Sequence, residues 1–125
     1  MKWILMTLAV VIGHASVAQT VTKISNQELV ELLKDTTVQL VDVRTPQEVA
    51  NGVIAGASNI NFYDKAFVST IIKMDKQKPI AVYCAVGGRS ANAGSKLKKL
   101  GFLKIYDLTG GFSDWKKEGY PIAKQ

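Results

Sequence analysis

The stretch Cys84-Ala85-Val86-Gly87-Gly88-Arg89-Ser90 places the chain's only cysteine beside two adjacent glycines, an arginine and a serine. Adjacent glycines let a loop curl through dihedrals that other residues resist. A curled loop turns successive backbone N–H groups toward one point, and a helix starting behind it adds partial positive charge. A cysteine at the base of such a nest is expected to be more acidic than an ordinary thiol and more nucleophilic near neutral pH. Arg89 would supply fixed charge and a planar fork for an oxyanion. The competing reading is a buried structural cysteine at a strand end, its glycines serving only the turn.

The flanking residues are suited to position this loop. Residues 79–83 (Pro-Ile-Ala-Val-Tyr) are apolar and read as a buried strand. Residues 90–100 carry Ala93, Leu97 and Leu100 on one helical face, and Gly101 follows as a stop. Ser90 is expected to cap that helix, with its hydroxyl turned to the sulfur. The loop thus lies beyond the carboxyl end of a strand, where open α/β sheets hold their ligands.

Upstream, residues 21–24 form a brief strand candidate. Ser25-Asn26-Gln27-Glu28 is a capping box, followed by a helix with Leu29, Leu32 and Leu33 on its apolar stripe. Residues 37–43 read as a strand ending in Asp42-Val43-Arg44. Thr45-Pro46-Gln47-Glu48 starts a second short helix with a capping box and proline at its first position. A loop over 52–57 leads to a short strand at 58–60, and residues 62–74 are helical in pattern through Phe67, Ile71 and Met74. Downstream of the cysteine loop, residues 104–108 read as a last strand and 112–117 as a last helix. Gly119-Tyr120-Pro121 closes the fold. Strands alternating with helices predict an α/β fold with a parallel sheet covered on both faces. Asp42 and Arg44 are expected to order the loop through charge-assisted hydrogen bonds. The plainer alternative is a strand-end carboxylate and an Arg44–Glu48 surface pair. Phe112 and Trp115 are expected in the core, and Tyr83 is expected to pack beside the loop rather than act as an acid.

With 125 residues the chain bounds one domain with a substantial core. Residues 1–18 are expected to be a cleaved signal peptide: Lys2, an apolar run over 3–13, and small residues at Ser16 and Ala18. The mature domain is then 19–125, exported to the periplasm or secreted, with no stable membrane association after cleavage. Loss of Lys2 takes the formal charge from +6 to +5. The remaining lysines read as a solvated basic face; nucleic-acid binding would want clustered arginines or interleaved aromatics. One cysteine cannot build an internal disulfide framework, and one Cys with one His (in the leader) does not build a zinc site. No metal and no organic cofactor is expected.

The chain resembles the single-domain rhodanese-like sulfurtransferases. Asp42-Val43-Arg44, Glu48 and residues 52–60 are similar to that family's first signature, residues 84–90 to its Cys-x-x-Gly-x-Arg-Ser active loop. Leu108-Thr109-Gly110-Gly111, Trp115 and Gly119-Tyr120-Pro121 are similar to its C-terminal signature. Val53 departs from the family, standing where many members carry histidine. The resemblance implies a three-layer fold with a five-stranded, mainly parallel sheet and helices on both faces. It implies that Cys84 carries sulfane sulfur as a persulfide from a small donor to a thiol or cyanide acceptor, with protein donors or acceptors as further partners. Residues Ala85, Val86, Gly87, Gly88 and Arg89 would bind substrate, and Asp42, Arg44 and Ser90 would support them.

Loop length bears on the reaction. Six residues from Cys84 to Arg89 match the sulfurtransferase branch; related phosphatases and arsenate reductases insert one more, widening the cradle for a tetrahedral anion. Ala85 and Val86 stand where members favouring thiosulfate often carry basic residues. Arg89 is left as the sole loop charge, which points to persulfide or protein donors over thiosulfate. A rhodanese-like module that carries sulfur or binds a partner without turnover is the alternative.

Overall fold

The computed structural model describes residues 9, 10, 13 and 19–125. The signal-peptide expectation rests on residues largely outside these, including its cleavage site. Among the described residues no helix is long and apolar enough to cross a membrane.

The elements follow in the order β1 (Thr20–Ile24), α1 (Asn26–Leu32), β2 (Gln39–Asp42), α2 (Pro46–Val49), β3 (Val53–Ile54) and β4 (Ser58–Asn59). They continue with α3 (Phe67–Ile71), β5 (Ile80–Tyr83), α4 (Gly88–Leu100), β6 (Lys104–Leu108), α5 (Gly111–Lys117) and β7 (Ile122–Ala123). Five strands form one sheet in the order β1-β6-β5-β2-β4, every pairing parallel. β5 lies at its centre, and the cysteine loop leaves the sheet there.

Side-chain alternation along β5 divides the core. Ile80, Val82 and Cys84 join Val41, Val43, Phe67, Ile71, Ala93, Leu97, Phe102 and Ile105 on the face covered by α3 and α4. Ala81 and Tyr83 point the other way, to Leu29, Leu40, Ile54, Phe112 and Trp115. All four residues of β5 are buried, as a strand covered on both faces requires. Both capping boxes form: Ser25 with Glu28, and Thr45 with Glu48.

Three local expectations are corrected. The helix over 62–74 is confined to α3, because Asn61 and Asp64 hold turns before it. The Asp64 carboxylate accepts from the Ala66 amide at 2.8 Å and the Asn61 carbonyl of its side chain from Tyr63 at 3.1 Å. The segment at 52–57 is not wholly loop, since Val53 and Ile54 pair antiparallel with Ala123 and Ile122. The fold therefore runs past Pro121 to this small second sheet. Finally, α4 begins at Gly88, its cap being Gly87 in a left-handed conformation (φ 106°). Ser90 sits inside the first turn and is not the cap.

Candidate active site

The cysteine loop is built by two backbone segments locked together. The amide of Phe112 donates to the Cys84 carbonyl at 2.8 Å and that of Ser113 to the Ala85 carbonyl at 3.0 Å. The first turn of α5 thereby satisfies the acceptors that β5 leaves as it exits the sheet. So close an approach dictates the residue types. A side chain on Gly111 (φ 65°) would sit 2.5 Å from the Ala85 carbonyl oxygen, and one on Gly87 would sit 2.6 Å from that of Thr109. Gly87 and Gly111 therefore fasten the two loops to each other. Gly88, by contrast, faces open space.

Within this frame the Gly87 amide donates to the Cys84 sulfur at 3.0 Å, and the thiol lies 3.7 Å from the Ser90 hydroxyl. Burial alone would push the Cys84 thiol up. The Ser90 amide and hydroxyl, with the Gly87 and Val86 amides, outweigh it and hold the thiol below its ordinary value. The amides that act on the sulfur are thus those of Val86, Gly87 and Ser90. Cys84 is 1% exposed, whereas Val86, two residues on in the same loop, is 74% exposed.

Arg89 does not lean over the sulfur unpartnered. Its two terminal nitrogens meet both carboxylate oxygens of Glu48, at 2.6 and 2.8 Å. This hydrogen bonding holds the Glu48 carboxyl down to about 2 and raises Arg89 further. The guanidinium also lies 5.6 Å from the ring centre of Tyr63, an exposed aromatic beside the loop.

Asp42 and Arg44 are brought together beneath the site, both buried. The Arg44 guanidinium bonds Asp42 at 2.6 to 3.0 Å, and its Nη2 also donates to the Gly52 carbonyl at 2.7 Å. It stacks over Phe112, 4.1 Å from the ring centre. Burial opposes the Arg44 charge, yet Asp42 raises it above the ordinary value. The alternative Arg44–Glu48 surface pair is not formed, since each has another partner. Through these bonds Arg44 ties the end of β2 to the turn before β3 and to α5. Tyr83 is buried, and its hydroxyl oxygen accepts from the Ile54 amide at 3.0 Å. Burial and the nearby Asp42 charge keep that hydroxyl protonated.

Sequence reasoning missed Asp107. This buried carboxylate on β6 accepts from the Ser90 hydroxyl at 2.6 Å. Burial pushes its carboxyl up. The available signal was an acidic residue on the same strand face as an apolar one, since Lys104-Ile105-Tyr106-Asp107-Leu108 alternates so that Ile105 and Asp107 share a face.

Among the described residues no group of three or more His, Cys, Asp or Glu side chains is placed to hold a metal ion. The arrangement is a polarised thiol in an amide nest, suited to nucleophilic attack on an electrophilic atom and to holding the negative charge that stays on the sulfur.

Residues 25–118 match the family model described as a rhodanese-like domain. A sulfurtransferase of Allochromatium vinosum is 33% identical over 82% of this chain and 95% of its own length. The thiosulfate sulfurtransferase GlpE of Shewanella oneidensis is 37% identical over 74% of this chain and 89% of its own. Among solved structures, a rhodanese-related protein from Thermoplasma volcanium superposes with a TM-score of 0.74 at 36% identity. It covers 83% of this chain and 99% of that one.

Proposed function

The chain belongs to the rhodanese-like domain family, and on that footing we propose that it moves sulfane sulfur from a small donor to a thiophilic acceptor through a Cys84 persulfide. The Cys84 thiolate attacks the outer sulfur of the donor. A bond forms to Sγ, the donor's own sulfur–sulfur bond breaks, and sulfite or a thiolate departs with the electron pair. The outer sulfur of the persulfide then rests against the amides of Val86, Gly87 and Ser90, its charge spread over fixed donors. A thiol or cyanide takes that sulfur and returns Cys84 to thiolate. The carrying observation is the lowered Cys84 thiol with an amide 3.0 Å from its sulfur.

Relatives named as thiosulfate sulfurtransferases support a small sulfur donor. The pairing of Arg89 with Glu48 favours persulfides over thiosulfate, because a doubly charged inorganic donor meets no unpaired cation on the loop. In this reading residues 1–18 are a leader and the domain works outside the cytoplasm, with envelope thiols as acceptors.

The test is mass measurement of the purified protein after glutathione persulfide or thiosulfate, with steady-state transfer followed alongside. One added sulfur with turnover is the expected result, lost in Cys84→Ser and Cys84→Ala variants that keep the native circular dichroism. Full activity in either variant would falsify the mechanism. Sulfur uptake without turnover would make the domain a carrier that hands sulfur to a protein partner.

A further inference from the structure

Asp107 is 1% exposed, and among the described residues the Ser90 hydroxyl is its one side-chain hydrogen-bond partner. Few carboxylates are buried with so little compensation. Three elements face it. Ser90 comes from α4, the Cys84 loop leaves β5 beyond Val82, its cross-strand neighbour, and Lys23 stands opposite it on β1, where its charge acts without a hydrogen bond. The same Ser90 oxygen lies 3.7 Å from the Cys84 sulfur. Thiol, hydroxyl and carboxylate thus form a short chain, all three residues at 1% exposure or less.

We propose that Asp107 is the proton store for Cys84, exchanging one proton with the sulfur through the Ser90 hydroxyl. This rests on the reading of Cys84 as the sulfur-carrying nucleophile. In the resting thiol, S–H donates to Ser90 Oγ and the Ser90 O–H donates to the Asp107 carboxylate. When the sulfur becomes an anion, its proton passes to Ser90 Oγ as the hydroxyl's own proton passes to Asp107 Oδ1. One S–H and one O–H bond break, two O–H bonds form, and nothing is oxidised or reduced. Ser90 now donates to the sulfur and accepts from the Asp107 acid. The cluster holds one negative charge throughout, whereas thiolate and carboxylate together would place two in a buried space. Asp107 keeps the proton while the persulfide stands, and gives it back after the acceptor has taken the outer sulfur. The upward push on Asp107 and the downward pull on Cys84 both favour this exchange. Asp107 touches neither donor nor acceptor and is a positioning residue, setting where the charge resides.

The experiment follows both groups at once in the native protein at neutral pH, where the surface carboxyls are ionised. Thiolate is read by ultraviolet absorbance and protonated carboxyl by its infrared C=O band. The expected result is a thiolate accompanied by a carboxylic-acid band, which disappears in Asp107→Asn and in Cys84→Ser, where the neutral hydroxyl lets Asp107 keep the charge. Thiolate absorbance without that band, or the same band in Cys84→Ser, overturns the proposal. Should Asp107→Asn fail to fold, the native and Cys84→Ser spectra still decide. No donor is needed, so this outcome is independent of the persulfide mass measurement, which alone tests sulfur transfer.

Discussion

Arg89 closes on Glu48 through two hydrogen bonds of 2.6 and 2.8 Å, so the cysteine loop's one cation is held by a carboxylate from α2. Glu48 also serves the helix cap, its carboxylate accepting from the Thr45 amide at 3.3 Å. A residue of the first signature therefore controls the charge that the active loop presents. Glu48→Gln would leave Arg89 without a counter-charge. The expected result is a thiosulfate KM lower by roughly two- to fivefold, the range that about 0.5–1 kcal/mol of partly screened charge represents. The preference for glutathione persulfide over thiosulfate narrows accordingly. An unchanged thiosulfate KM would count against Arg89 as the electrostatic determinant.

The same pair has a defined pH window. Glu48 titrates at about 2 in the folded protein against an ordinary 4.5. A carboxyl held below its unfolded value adds stability above that unfolded value and loses it as acid approaches the folded one. Urea midpoints of the native protein and Glu48→Gln, compared from neutral pH downward, should differ by a constant amount until about pH 4.5. The gap should close as the pH falls through about 2. A gap that closed near neutrality would assign the effect to another group.

Gly111→Ala and Gly88→Ala form a matched pair. At Gly111 a methyl group meets two carbonyl oxygens of the cysteine loop and a φ of 65°; at Gly88 it meets nothing. Backbone strain of this kind costs about 1–3 kcal/mol before the clash is counted. Gly111→Ala should lose at least that in urea denaturation and slow alkylation of Cys84 by iodoacetamide. Gly88→Ala should stay within about 0.5 kcal/mol of the native protein. Equal effects at the two positions would mean that α5 does not hold the loop.

Arg44→Met tests the buried pair. Asp42 would be left as a buried carboxylate without its cation, a loss of about 3–5 kcal/mol in similar cases. The double variant Asp42→Asn/Arg44→Met should recover part of it, measured by thermal or urea denaturation. No recovery in the double variant would show that Arg44 acts mainly through Gly52 and Phe112.

Tyr83→Phe removes the acceptor of the Ile54 amide and leaves that buried donor unpaired. A stability loss of about 1–3 kcal/mol is expected. The sulfur-transfer rate should hardly move, because the ring lies on the sheet face opposite Cys84. A large fall in rate with stability intact would make the hydroxyl a participant in the chemistry.

The order of the helices and of the five strands of the parallel sheet, and the identity of the loop, were readable from the chain alone, because each rests on short-range chemistry. The capping boxes at Ser25 and Thr45 form as their spacing requires. The glycine pair opens α4, and the apolar strand before Cys84 is buried along its length. The helix over 62–74 misled because apolar spacing there competes with turns held by Asn61 and Asp64, and side-chain-to-backbone bonds of that kind are local but outweigh a weak periodicity. What only the tertiary structure decided depends on contacts between residues far apart in sequence. Arg89 meets Glu48 across 41 positions, Asp107 meets Ser90 across 17, and Val53 pairs with Ala123. No spacing rule relates such residues. Charge and hydrogen-bonding capacity are local properties of a side chain, but the partner that satisfies them is set by the parallel strand order, which brings β6 and α4 against β5.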